Sequence, residues 1–212
     1  MKIFRYIVPV DDGAAPNPYG GVCTLAICKP NIRKIAKVGD WLIGLKNPTK
    51  ELIYCMKITD VMSMQEYDKY TKEKLPIKIP DTDNKDITFH MGDSVYDFSK
   101  EEILLRKSVH SRCTKQMDLD GKNVLLSNHF YYFGDKAIKL EKKFTEDIDT
   151  SIDFDYLESF LLDELLFYFN KNNININILY STPNICGIIS PSNREFEMSC
   201  CIRKKIERQF YF

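Results

Sequence analysis

Between Asp11 and Gly21 the chain reads DDGAAPNPYGG, a stretch through which neither a helix nor a strand can run. Gly13, Gly20 and Gly21 permit positive φ, while Pro16 and Pro18 lock their own φ and hold Ala15 and Asn17 extended. The stretch must be a shaped loop, and the elements beside it must be short. Before it, KIFRYIVPV alternates Phe4, Tyr6 and Val8 against Ile3, Arg5 and Ile7, as a strand does. Pro9 marks either an edge strand or the strand's end. After the loop, VCTLAI is a second strand candidate. Pro30 suits the first position of a short helix, Pro30 to Lys37, with Gly39 as its stop.

Further on, WLIGL, the turn residues Asn47 and Pro48, and ELIYCMKITDV predict a long β-hairpin. Ser63 and Glu66 form a capping box for a helix running to about Tyr70. Residues 71–87, rich in Lys, Asp and Pro, are the best candidate for a mobile insertion. ITFHM, SVYDF, NVLLS and HFYYFG are short apolar pieces. Residues 153–170 set Phe154, Leu157, Leu161, Leu165 and Tyr168 at helical spacing, opposite Asp155, Glu158, Ser159, Asp163 and Glu164. ININIL alternates as a strand, and the tail from Cys200 is basic and aromatic. Few long helices separate the strands, so a doubly wound parallel sheet does not fit. The expected fold is α+β: a small, partly closed β-barrel with flanking helices over residues 1–145. Residues 146–212 then form a helix-and-strand extension packed on the same domain.

Thirty basic residues balance thirty acidic ones, so no global field recruits nucleic acid or an anionic membrane. The opening apolar run is too short and interrupted for a signal peptide, and no segment approaches the ~18 apolar residues of a membrane span. Seven cysteines in irregular spacing argue for reduced thiols and a cytoplasmic setting.

Several stretches carry a family resemblance. They are Asp12-Gly13, Ala15-Pro16-Asn17-Pro18, Gly21, Cys23-Thr24-Leu25-Ala26, Cys28-Lys29-Pro30, Ile32-Arg33, Ala36 and Gly39-Asp40-Trp41. Later come Gly92-Asp93 with Tyr96, Ser108 with His110-Ser111, and Val124-Leu125 with Ser127, Phe130 and Phe133-Gly134. Together they resemble the nucleotide modification associated domain 2 family, from whose pattern Ser94 and Lys107 depart. The resemblance implies a setting, phage or bacterial systems that alter nucleobases, and not a reaction. A short helix ending in Gly39-Asp40 before two strands is also similar, in topology, to the opening of PUA, ASCH and EVE barrels, which bind RNA or modified bases beside the barrel.

The residues themselves outline a polar cleft. Asn17 offers a donor and an acceptor together, the pairing that reads an adenine-like edge, or else caps its own turn. Lys29 and Arg33 stand at the start of the short helix, as a phosphate site or a solvated basic face. Asp40 accepts a base N–H or caps a turn; Trp41 and Tyr96 stack on a base or fill the core. Ser127 completes the expected nucleotide-binding set, with His110 as hydrogen-bond donor or base. Cys23 and Cys28, five apart on a strand, point to opposite faces and make poor partners for one metal, so no metal or cofactor is expected. The expected function is a module that binds a nucleotide or modified nucleic acid. The alternatives are a nucleotide-modifying enzyme using Cys23 and His110, and a protein-interaction subunit of a phage-conflict system working through its C-terminal region. His110 lies in SVHS, without H-E-x-x-H, deaminase or Gly-x-Ser-x-Gly signatures.

Overall fold

The computed structural model describes residues 1–146, 148 and 152–184. The strands are β1 (Ile3–Val8), β2 (Cys23–Leu25), β3 (Trp41–Lys46), β4 (Leu52–Lys57), β5 (Asp60–Ser63), β6 (Tyr96–Asp97), β7 (Leu104–Leu105), β8 (Asn123–Ser127), β9 (Phe130–Tyr132), β10 (Asp155–Tyr156) and β11 (Ile178–Leu179). The helices are α1 (Pro30–Ile35), α2 (Met64–Lys74), α3 (Lys115–Asp120) and α4 (Ser159–Lys171).

Alternation along β1 explains the layering. Ile3 and Ile7 face a core under α4 with Trp41, Ile43, Leu161, Leu165 and Phe169. Phe4, Tyr6 and Val8 face the opposite way, against Cys23, Leu25 and Leu125. The sheet carrying β1 has the order β10-β1-β3-β4-β9-β11, and a three-stranded sheet β2-β8-β5 packs on its inner face. A third core, built on Ala26, Tyr67, Val95, Tyr96 and Val124, lies beyond the smaller sheet under α2.

Several expectations are corrected. The six-stranded sheet does not close into a barrel: β10 and β11 end it, and its inner face is covered by a second sheet instead. β1 is an interior strand between β10 and β3, and Pro9 follows its end. Residues 71–87 are not a loose insertion. α2 runs on to Lys74, and Thr71 and Lys78 are fully buried. α4 starts at Ser159, because residues 155–156 are spent as a strand beside β1. Its buried face is therefore Leu161, Leu162, Leu165 and Phe169, leaving Tyr168 exposed. The tail from Cys200 lies outside the described residues.

Candidate functional site

The constrained loop delivers the chain into β2, and two residues after Leu25 and Ala26 the backbone turns sharply at Cys28. Cys28 (φ 57) and Lys29 (φ 40) are both left-handed, immediately before α1. A non-glycine residue held there costs about 1–3 kcal/mol, and such strain gathers at reaction centres. A strand, a strained turn and a helix is also the arrangement that presents a nucleophile in hydrolases with a nucleophile elbow, here without its glycine signature.

Three side chains meet at this turn. Cys28 Sγ is 3.5 Å from His110 Nε2, and His110 Nδ1 is 2.6 Å from Asp118 Oδ2. Against a carboxylate, Nδ1 carries the proton, which leaves Nε2 facing the thiol. Asp118, wholly buried, also accepts from the Tyr96 hydroxyl at 2.8 Å and from the Cys28 N–H at 2.8 Å. Burial pushes the Asp118 carboxyl up, but the His110 hydrogen bond and charge, with those other donors, outweigh it and hold the group below its ordinary value. His110 itself is held by Ser108 and approached at Nδ1 by Thr114 Oγ1 at 3.3 Å. A thiol, an imidazole and a carboxylate in this order, all three buried, form an arrangement that can serve as a nucleophile, its base and the group that orients the base.

Of the residues expected at the cleft, Lys29, Arg33, Tyr96 and His110 gather here. Lys29 Nζ bonds Asp153 Oδ1 at 3.1 Å and lies 4.8 Å from the centre of the Tyr6 ring. Arg33 differs from its expected place on a solvated or phosphate-binding face. It has no exposed surface, and its N–H groups go to the carbonyls of Cys28, Asp118 and Asn123. The others lie elsewhere. Asn17 is fully buried, donating to Met91 O and accepting from Lys78. Asp40 closes a turn by accepting from the Lys2 and Lys37 N–H groups. Trp41 fills the core, its ring 5.3 Å from that of His129. Ser127 bonds His129 in the turn between β8 and β9.

Cys23 sits between the two sheets, where burial pushes its thiol up to about 12, and no hydrogen bond among the described residues joins it to His110. The sequence reading missed Cys28 because it continued the strand VCTLAI toward it. The available signal was the left-over pair Cys-Lys between a strand and a proline-started helix. Asp118 carried no signal, since nothing in TKQMDLDG separates it from an ordinary helix-face acid.

A second buried polar cluster lies nearby. Lys78 Nζ reaches Asn17 Oδ1, Val22 O and Thr24 Oγ1, and Thr24 in turn donates to Asp93, which also accepts from Tyr67. Between this cluster and Tyr96 is a cavity of about 10 Å³, room for one water. Among the described residues no group of His, Cys, Asp and Glu could hold a metal ion.

The profile of a family described as nucleotide modification associated domain 2 matches residues 1–184. No curated protein and no solved structure gives a significant match.

Proposed function

The chain belongs to the nucleotide modification associated domain 2 family, and on that premise we propose that it is an enzyme of nucleotide modification with its reaction centre at Cys28, His110 and Asp118. The observation that carries this reading is the 3.5 Å approach of Cys28 Sγ to His110 Nε2, with Asp118 behind the ring at 2.6 Å. His110 takes the thiol proton, and the thiolate attacks a carbonyl-type carbon on the substrate. As the adduct collapses, His110 returns that proton to the leaving group, and Cys28 is left as a thioester. Water or an amine releases it, with His110 as base again. Lys29, the next residue, supplies a cation for a nucleotide phosphate in exchange for Asp153.

The test is alkylation of the full chain by iodoacetamide from pH 5 to 9, with each cysteine followed by peptide mass spectrometry. Cys28 is expected to label faster than the exposed Cys113 at pH 6, and to lose at least about tenfold in His110→Gln and Asp118→Asn. Labelling of Cys28 no faster than Cys113 would remove the reading. The binding-module alternative needs Asn17, Arg33, Trp41 and Ser127 uncovered, just as the reaction centre needs Cys28 and His110, each 5% exposed, opened to a substrate. What favours the enzyme is that its three groups are already in contact. An interaction subunit is favoured by a separate observation, the exposed Phe160, Phe167 and Tyr168 on α4.

A further inference from the structure

A buried arginine whose side chain hydrogen-bonds no carboxylate among the described residues needs a reason, because desolvating the guanidinium costs several kcal/mol unless its donors are well used. Arg33 uses them on three carbonyls from three separate segments. Nε donates to Cys28 O at 2.7 Å, Nη2 to Asp118 O at 2.5 Å and Nη1 to Asn123 O at 2.8 Å. The backbone of Arg33 is tied in turn, its carbonyl accepting from Asn123 Nδ2 at 3.2 Å. Cys28 is thus gripped on both of its backbone polar groups, its carbonyl by Arg33 and its N–H by Asp118 Oδ1. Those two bonds hold the residue in its left-handed conformation.

Gly121 gives a second, independent observation. Its φ is −67°, ordinary helical backbone that any residue adopts. A Cβ there would nevertheless stand 2.4 Å from Arg33 Cζ and Nη2. The side chain is missing where the guanidinium lies, and nothing in the backbone of that position requires a glycine. The planar fork of arginine sets the separation of the carbonyls it bridges, which the point charge of a lysine would not do.

We infer that Arg33 is a positioning residue for the cysteine centre: a three-point clamp that fixes the nucleophile turn against the segment carrying Asp118, in a seat kept open by Gly121. The inference rests on the reading of Cys28 as nucleophile.

The experiment extends the alkylation profile of the full chain to Arg33→Lys and Gly121→Ala, with folding followed by circular dichroism. In both variants Cys28 is expected to label at least about tenfold more slowly at pH 7, with its pH midpoint moved upward. Cys113 should keep its wild-type rate and act as internal reference. A residue that only stabilises the fold would lower the melting temperature and leave the Cys28 profile in place, and that result overturns the inference while leaving the nucleophile standing. Wild-type Cys28 no more reactive than Cys113 would instead overturn the underlying reading and the inference with it. Should Arg33→Lys fail to fold, Gly121→Ala decides, since it keeps the charge and displaces only its position.

Discussion

Lys78 has no exposed surface, and its ammonium group is spent on Asn17, Val22 and Thr24 oxygens, which fastens the glycine- and proline-rich loop to the segment after α2. Burial lowers its pKa from 10.5 to about 8, with Asp93 pulling the other way. Between those values the folded state binds fewer protons than the unfolded state, so this group makes stability rise with pH across the window. Comparing wild type with Lys78→Met by urea denaturation should show wild type gaining on the variant between pH 8 and pH 9.5; a constant gap would mean the ammonium is not desolvated. Residue by residue, the shaped loop with its positive-φ glycines was legible from chemistry alone. Which cysteine faces His110 was not, because that depends on where β2 ends and the backbone reverses. The burial of Arg33 was hidden for a similar reason: a cation on a short helix looks solvated until the segment carrying Asp118 and Asn123 folds over it.

At the scale of elements, patterns with a strict period were readable and those set by neighbours were not. The alternation of β1, the hairpin of β3 and β4 and the capping box of Ser63 and Glu66 follow from local rules, and each is present. α4 is the instructive departure. Helical spacing extended its apolar stripe back to Phe154, but residues 155–156 are drawn into the sheet beside Phe4 and Arg5, where Asp155 pairs with the Arg5 guanidinium. The buried stripe then turns to include Phe169, whose ring lies 4.4 Å from Tyr131. Phe169→Ala should cost about 3–5 kcal/mol, against about 0.5 or less for Phe167→Ala, a residue 69% exposed. Chemical denaturation of both variants checks this, and equal losses would mean that the phase of α4 is wrong.

For the whole molecule, thirty positive and thirty negative charges leave a net charge of zero, so sequence-independent attraction to nucleic acid is weak. Fluorescence anisotropy with unrelated duplex DNA at about 0.15 M salt should give no saturation below the micromolar range. Saturation in the nanomolar range would overturn that expectation. No helix among the described residues is long and apolar enough to cross a membrane. The sheet order could not be read from sequence, because β10 and β11 join the edges from far along the chain and contribute only two residues each.

The separation along the chain of the three groups in the proposed reaction centre has a kinetic consequence. His110 and Asp118 lie 82 and 90 positions from Cys28, so the thiol acquires its partners only after a long loop has closed. Long-range closures of this kind come late and slowly in folding. A chain still emerging from the ribosome therefore carries Cys28 without His110 and Asp118 beside it, and the reactivity proposed for the thiol should appear during refolding only after that loop has closed.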